Sequence, residues 1–272
     1  NGGPVLCAAI DRQVVTVAAE GPPGGWEVAA VAADNPSIGT AAFDAETFRD
    51  WRNPERPPTT EGYLRGVVAA VLERPHLSLR RPVELAIAGD VPLGFGLSSS
   101  AALCVALGLA LVEPGPADHD LVLIAQEAEH RAGTPCGTMD QSASVAGGVV
   151  RFDGATMGVE RLSPHLGDLV FAVVDSGVER SLGVSSYPTR VEESRAALEH
   201  ARHVLGIDVP HLASLSPTML DRLSSGNDAL PDPLLARVRH VVTETARVER
   251  GEEELRDACH HRMLFRRGPL LR

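Results

Sequence analysis

The sequence contains no lysine, and all 25 of its basic side chains are arginines. This absence excludes a lysine Schiff base, a lysine general base and the Gly-Lys-Ser or Gly-Lys-Thr ending of a Walker-type phosphate loop. The sequence also lacks any block of basic residues, and its formal net charge is −11. Nucleic acid and anionic membrane surfaces are therefore not expected as partners, and the oligomeric state stays open.

Cysteine is scarce, and the four cysteines are scattered over 272 residues without a C-x-x-C pair. A disulfide framework and a cysteine zinc site are therefore not expected, and reduced thiols are the simplest interpretation. No uninterrupted apolar run is long enough to cross a membrane, and no signal peptide is visible. We therefore expect a cytoplasmic protein. The chain begins with Asn1 rather than Met, which predicts that residues are missing upstream.

The patterns of strands and helices are mixed without strict βαβ alternation, which predicts an α+β fold rather than a doubly wound sheet. Alternating or short apolar runs predict strands, namely in "PVLCAAIDRQVVTVAAE", "WEVAAVAAD", "PVELAIAGDVP", "GGVVRFD" and "LVFAVVDSG". Helical periodicity predicts helices, namely in "EGYLRGVVAAVLER", from Ser98 to Val112, from Asp120 to Ala132 with Gly133 as C-cap, in "PTRVEESRAALEHARHVLG" and in "PLLARVRHVVTETARVERGEEELRDA". The stretch "RLSPHLGD" separates two strand patterns, so we predict domains at 1–165 and 166–272.

The stretch "VPLGFGLSSSAAL" has the composition of an anion-binding loop. Gly94 and Gly96 permit a close backbone approach to a ligand, and three serines follow at the start of a predicted helix. The first N–H groups of a helix have no intrahelical partner and its dipole favours an anion, so phosphate can bind there without lysine. The serine hydroxyls add donors, or a ligand to Mg²⁺. The alternative interpretation is a serine N-cap after a glycine turn.

Two further stretches carry groups suited to phosphoryl transfer. "EAEHRAGTPCGTMDQ" places Glu129 near a helix end and Asp140 in a loop that contains glycine. One carboxylate on Mg²⁺ and a second one as base are the usual parts of this chemistry. Taken alone, Glu129 is more typical of a solvated helix face and Asp140 of a turn or cap. "DSGVERSLGVSSYPTR" contains Tyr187, which alone is typical of a half-buried structural tyrosine.

Taken together and in this order, the stretches resemble the GHMP small-molecule kinases, and within them the galactokinase family. "VPLGFGLSSSAAL" resembles the second motif of the superfamily, "GTPCGTMDQ" the stretch with the catalytic aspartate, and "DSGVERSLGVSSYPTR" a segment with a sugar-contacting tyrosine. "NGGPVLCAAIDR" and "HVVTETARV" resemble further segments. The resemblance covers residues 1 to about 257. It implies a two-domain α+β fold with the active site in the cleft between the domains.

The resemblance also implies ATP and Mg²⁺ as cofactors and galactose as the sugar. The phosphates of ATP would be wrapped by one loop, which consists of Gly94, Phe95, Gly96, Leu97, Ser98, Ser99 and Ser100. Ser100 and Glu129 would hold Mg²⁺, and Asp140 would be the base toward the anomeric hydroxyl. Gly137, through its backbone, and Tyr187 would contact the sugar.

Two motifs of the family are missing from this sequence. These are the first motif, with an arginine beside the transferred phosphate and a Glu-His-Thr-Asp run that reads the sugar hydroxyls, and the third, glycine-rich motif. We therefore expect a chain that is incomplete at both ends, with a truncated second domain and little turnover on its own. One alternative is a related kinase for galacturonate, arabinose or N-acetylgalactosamine, because the residues that would identify the sugar lie in the missing first motif. The other is an inactive sugar-binding remnant, because two motifs are missing.

Overall fold

A computed structural model of the chain describes residues 1–25, 27–32, 34, 40–52, 58–164, 171–175, 177, 187–226 and 229–257. These residues form two compact units. The N-terminal unit consists of the described residues within Ala9–Gly147 and Asp175–Thr189. The C-terminal unit consists of those within Asn1–Ala8, Gly148–Val174 and from Arg190 onward. The two contiguous domains that the sequence predicts, 1–165 and 166–272, stay a prediction.

The N-terminal unit contains a four-stranded sheet in the order β2-β6-β3-β4. Its strands are β2 (Val14–Glu20), β3 (Val28–Ala32), β4 (Thr40–Phe43) and β6 (Val83–Gly89). β6 is parallel to β3 and antiparallel to β2. A separate two-stranded pair is formed by β5 (Ser78–Leu79) and β7 (Val112–Glu113). The alternation predicted for β6 is confirmed, because Val83, Leu85 and Ile87 are buried while Glu84 is exposed.

Among its described residues, the N-terminal unit also contains a 3-10 helix (Ala45–Phe48) and four α-helices. The α-helices are α1 (Thr60–Leu72), α2 (Ser99–Leu111), α3 (Asp118–Arg131) and α4 (Met139–Ala146). Thr59 caps α1, because its side chain accepts a hydrogen bond from the Gly62 N–H. α2 is apolar at nearly every position and is buried on most sides, as its sequence predicts. α1, α2 and α3 pack on one another, and α4 packs on α2 and α3.

The C-terminal unit combines a three-stranded antiparallel sheet with three helices. Its sheet has the order β1 (Pro4–Ala8), β8 (Val149–Asp153) and β9 (Val159–Leu162). Its helices are α5 (Tyr187–Leu205), α6 (Pro217–Leu223) and α7 (Asp232–Asp257). The helices enclose their own apolar core, and α7 packs against β1.

Most of the predicted strands and helices are present, but two predictions need correction and some short elements were not predicted. The strand predicted in "LVFAVVDSG" is absent from residues 171–175, and the rest of that stretch lies outside the described residues except Gly177. α4 and β9 were not predicted, because α4 is only 8 residues long and β9 only 4, too short for a clear periodicity. α2 begins at Ser99 rather than Ser98. No described helix meets the length and hydropathy needed to span a membrane.

Candidate active site

The loop before α2 alternates between left-handed and ordinary backbone conformations. Gly94 has φ 80°, Gly96 has φ 73° and Ser98 has φ 58°, whereas Phe95 and Leu97 between them do not have positive φ. Conformations that alternate in this way turn backbone N–H groups toward one side and form anion-binding concavities. A Cβ atom placed on Gly94 would meet no other atom within 4 Å, so the loop borders open space.

The serines at the start of α2 do not act as an ordinary side-chain cap. Ser98 occupies the N-cap position, but its side chain makes no capping hydrogen bond, and its left-handed φ and ψ of 58° and 40° are unusual for a residue other than glycine. Among the described residues, the hydroxyls of Ser98 and Ser99 have no hydrogen-bond partner. The cap interpretation therefore does not explain these serines, and the N–H groups of the first turn of α2 stay available.

Glu129 is brought to the third serine by close packing of α3 on α1. Gly66 of α1 lies against the backbone of Ala128 in α3, where an added Cβ would stand 2.6 Å from the Ala128 carbonyl oxygen. This contact fixes the position of the helix turn that contains Glu129. The Ser100 hydroxyl then donates a 2.6 Å hydrogen bond to Oε1 of Glu129.

The Glu129 carboxylate is buried, with only 2% of the residue exposed. The solvated helix face, which the sequence favoured for Glu129 taken alone, is therefore wrong. Burial raises the pKa of this carboxyl group, while hydrogen bonds from Ser100 and Gln141 act in the opposite direction and the charge of Asp140 raises it further. Because a buried carboxylate is costly without compensation, a nearby cation is the natural partner for it.

Asp140 lies in the first turn of α4, not in the loop that the sequence predicted. A carboxylate is favoured at this position by the helix dipole. Its neighbour Gln141 is fully buried and donates from Nε2 to Oε2 of Glu129. Asp140 is half-buried and close enough for its charge to raise the pKa of Glu129. α2, α3 and α4 thus bring together Ser100, Glu129 and the Asp140–Gln141 pair.

The loop between α3 and α4 is held against this cluster by further hydrogen bonds. Thr134 pairs with the hydroxyl of Tyr63 at 3.0 Å. The Cys136 carbonyl accepts from Nε2 of Gln126 at 3.2 Å, and its thiol accepts from Gln141 at 3.4 Å. Burial, together with the charge of Glu129, raises the pKa of the Cys136 thiol to about 12. The thiol therefore stays neutral beside the carboxylate.

Gln141 and Tyr63 are not predicted from the sequence, although each has a possible signal there. Gln141 directly follows the predicted base. The residues after it in this short helix, Ser142 to Ala146, are all small or apolar. Tyr63 is one of only two tyrosines in the chain. Both side chains belong to this cluster because they contact residues far away in the sequence, and neither signal indicates such a contact.

Of the predicted sugar contacts, Gly137 is exposed, and a Cβ added to it would meet nothing within 4 Å. Tyr187 begins α5, but its side chain lies outside the described part of the chain. In the phosphate loop, Phe95 is 56% exposed and Leu97 is half-buried. The roles assigned to these residues stay predictions.

The donor set suits Mg²⁺ in the open coordination that it adopts beside phosphates. Among the described residues there is no group of three or more His, Cys, Asp or Glu that could enclose a metal. Mg²⁺ does not need one, since it typically takes one or two protein carboxylates and completes its shell with water and substrate phosphates. A serine hydroxyl and a buried carboxylate oxygen 2.6 Å apart fit this requirement.

The fold and a family model define the class of protein. Residues 62–148 match the GHMP kinases N terminal domain. A crystal structure of Lactococcus lactis galactokinase complexed with galactose superposes with a TM-score of 0.80 at 23% identity, covering 95% of this chain and 66% of that one. A mevalonate kinase structure superposes with a TM-score of 0.50 at 10% identity, covering 90% of each chain. The predicted α+β GHMP kinase fold is confirmed, and residues 62–148 are similar to the N-terminal domain of GHMP kinases.

Curated proteins similar to this chain include galactokinases, which confirms the resemblance predicted from the motifs. The galactokinase of Roseiflexus sp. (strain RS-1) is 34% identical over 266 residues, which are 94% of this chain and 63% of that protein. The galactokinase of Actinobacillus succinogenes is 33% identical over 238 residues, which are 82% of this chain and 59% of that protein. The chain thus spans about 60% of the length of these two relatives.

Proposed function

We propose that this chain belongs to an ATP-dependent sugar kinase that transfers the γ-phosphate of ATP to the anomeric hydroxyl of D-galactose. The products are galactose 1-phosphate and ADP. The proposal is supported by the similarity to galactokinases over 94% of the chain and by the residues that converge in the N-terminal unit.

One observation carries the proposal. The three stretches that contain the loop serines, Glu129 and Asp140 are separate in sequence, yet α2, α3 and α4 place a hydroxyl and two carboxylate side chains in one cluster. Burying a carboxylate is costly, so the burial of Glu129 against Ser100 and Gln141 supports a functional role for this cluster. Phosphoryl transfer needs this combination, because catalysis consists of positioning and of electrostatic stabilisation of the transferred group.

The loop from Gly94 to Ser100 binds the phosphates of ATP. Its alternating backbone presents N–H groups, and the first turn of α2 adds further N–H donors and the dipole of the helix. The hydroxyls of Ser98 and Ser99 make no hydrogen bond within the described part of the protein, so they can donate to phosphate oxygens without losing one. These donors replace the lysine that the sequence lacks.

Ser100 and Glu129 are the residues that hold Mg²⁺. When bound there, the ion would supply the positive charge that neutralises the phosphate oxygens. Glu129 contributes a negative charge. Burial raises the pKa of its carboxyl group, so a cation at this position would offset the cost of burying the charged form. Ser100 contributes a neutral oxygen at 2.6 Å from Oε1.

Asp140 accepts the proton of the anomeric hydroxyl and orients the sugar toward the phosphate. It lies at the start of α4 next to Gln141, which donates to Glu129, so the acceptor would bind beside the nucleotide. Gly137, with open space around it, and Tyr187 contact the sugar. General-base catalysis of this kind contributes about 10²- to 10⁴-fold.

The test compares Asp140→Asn with the parent protein in a chimera, in which residues 1–257 are joined to the flanking segments of the Roseiflexus galactokinase. Formation of galactose 1-phosphate is measured together with the Kd for MgATP. We expect kcat to fall about 10²- to 10⁴-fold, because an amide of the same size cannot take the proton, while the Kd for MgATP stays nearly unchanged. Asp118→Asn is the matched control, since Asp118 is also an acidic residue in the first turn of a helix but is exposed.

Equal turnover of the Asp140→Asn chimera and the parent chimera would remove Asp140 from the catalytic role. A parent chimera that binds galactose and MgATP but transfers no phosphate would contradict the proposed activity. Residues 1–272 alone are measured in parallel, and we expect little turnover from them.

A further inference from the structure

Gln141 holds the side of the Glu129 carboxylate that Ser100 does not reach. Ser100 donates to Oε1, and Nε2 of Gln141 donates to Oε2. Gln141 is fully buried in α4, so its side chain is held by packing and is not in contact with solvent. The two donors come from opposite ends of the carboxylate and leave it one orientation.

The orientation of the Gln141 amide follows from chemistry alone. If the amide were turned by 180°, its carbonyl oxygen would face Oε2, and two acceptors would repel each other. In the observed orientation the Oε1 atom of Gln141 is buried without a hydrogen-bond partner among the described residues, which is unfavourable for Gln141 itself. A buried acceptor left in this state is unfavourable, because it has given up its hydrogen bonds to water. The amide thus donates a hydrogen bond to Glu129, while its own carbonyl oxygen is left without a donor.

We propose that Gln141 is a positioning residue, which fixes the Glu129 carboxylate so that this group and the Ser100 hydroxyl present their oxygens to the metal ion of the metal–nucleotide complex. The inference rests on the proposed function. Gln141 itself does not touch the ion or the nucleotide. It acts by holding Oε2, so that the carboxylate neither rotates nor withdraws when Ser100 exchanges its hydrogen bond for a metal contact.

Groups that hydrogen-bond to a metal-ligating side chain fix the orientation of that side chain, and their loss typically lowers metal affinity or activity about 10- to 100-fold. A purely structural glutamine would behave differently. Its replacement by an apolar side chain of similar shape would alter the stability of the protein but would affect metal-dependent and metal-independent nucleotide binding alike.

The experiment measures the affinity of residues 1–272 for Mn²⁺·ADP and for ADP in the presence of a chelator, by calorimetry and by electron paramagnetic resonance of the free Mn²⁺. The variant is Gln141→Met, which keeps the length of the side chain but has no donor. We expect an approximately 10- to 100-fold loss of affinity for Mn²⁺·ADP and a much smaller change for metal-free ADP. Gln126→Met is the matched control, because Gln126 donates to the Cys136 carbonyl in the same cluster but not to Glu129.

Gln141→Asn is a second variant, whose amide is one methylene too short to reach Oε2, and it should show a loss in the same direction. Unchanged Mn²⁺·ADP affinity in both Gln141 variants, or an equal loss in Gln126→Met, would overturn the positioning role and leave the proposed function intact. A wild-type chain that binds no Mn²⁺·ADP would overturn the proposed function and this inference with it. If circular dichroism shows that neither Gln141 variant folds, Gln141 serves folding and the proposal is overturned.

Discussion

The Ser100 hydroxyl, at the start of α2, lies 2.6 Å from Oε1 of Glu129, near the end of α3. Two oxygens bound to the same octahedral Mg²⁺ at about 2.1 Å are roughly 3.0 Å apart. Only a small separation of the two side chains is therefore needed for both to face one ion. If the proposed metal site is correct, the free protein is already close to the arrangement of the bound state, which would lower the cost of ordering it.

This relationship predicts that Ser100 and Ser99 differ in their effect on stability. Ser100→Ala removes one donor from a buried carboxylate, so we expect the free energy of unfolding to fall by about 1–3 kcal/mol. Ser99→Ala removes a hydroxyl that has no partner within the described residues, and we expect a change of at most about 0.5 kcal/mol. Urea unfolding of both variants without ligand checks this. Equal effects would mean that the Ser100–Glu129 hydrogen bond contributes nothing measurable.

Gly66 predicts a second effect, on the packing of α1 against α3. An alanine there would place its Cβ 2.6 Å from the Ala128 carbonyl oxygen, so the two helices must separate next to Glu129. We expect Gly66→Ala to lower the free energy of unfolding by about 1–3 kcal/mol, although alanine is the better helix former by about 1 kcal/mol.

Gly62→Ala on the same helix is the control for Gly66→Ala. Its Cβ would meet the Thr59 hydroxyl at 3.3 Å and the Trp51 ring at 3.5 Å, contacts that small shifts relieve. Thermal unfolding should show little change for Gly62→Ala and a clear drop in Tm for Gly66→Ala. A stabilised Gly66→Ala protein would show that the close approach of the helices is not needed.

The buried Arg131 predicts non-additive effects of its two carboxylate partners. Its side chain is fully buried and pairs with Glu127 at 2.7 Å and Glu73 at 2.5 Å. We expect Glu73→Gln or Glu127→Gln alone to cost about 1 kcal/mol, because one partner remains. The double variant leaves the buried guanidinium without a carboxylate, with the carbonyls of Arg49 and Trp51 still accepting from it, so we expect a loss of about 3–5 kcal/mol.

A double-mutant cycle in urea measures this coupling. Glu244→Gln serves as a control, since Glu244 pairs with Arg247 where both side chains are 42% exposed, and its loss should cost less than about 1 kcal/mol. If the loss in the double variant equals the sum of the two single losses, Arg131 does not depend on either carboxylate for its charge balance.

The Cys136 thiol predicts a pH-dependent reactivity. Its pKa is raised to about 12 in the folded protein by burial and by the charge of Glu129. Because the thiolate is the reactive form, we expect alkylation of Cys136 by iodoacetamide at pH 8 to be about a thousandfold slower than that of a free cysteine. The sign follows from the raised pKa, since the neutral thiol persists to a higher pH in the folded state than in the unfolded state.

Peptide mass spectrometry after timed labelling, with and without guanidinium, measures this rate for Cys136. The rate should rise to the ordinary value on unfolding. Native labelling as fast as that of the unfolded protein would mean that the thiol is not held beside the Glu129 carboxylate. Glu129→Gln should accelerate native labelling, because it removes the charge that opposes the thiolate.

The sequence by itself predicted those features that a local pattern records. The alternation of Val83, Leu85 and Ile87 predicted β6, and the apolar run after Ser98 predicted a buried α2. The order of the short motifs predicted the family. Periodicity reports which face of an element is apolar, and a glycine–serine loop reports a backbone that can approach an anion. Neither depends on distant parts of the chain.

Only the tertiary structure decided the surroundings of the carboxylates. In sequence, Glu129 is one of several charged residues on an amphipathic helix, and such residues are usually solvated. It is buried because Gly66 lets α1 approach α3 and because Ser100 and Gln141, from two other helices, satisfy its oxygens. Likewise β1 leaves its neighbours in sequence to pair with β8, with Val5 opposite Phe152. Such partners meet through long-range packing, whose free energy no local pattern contains.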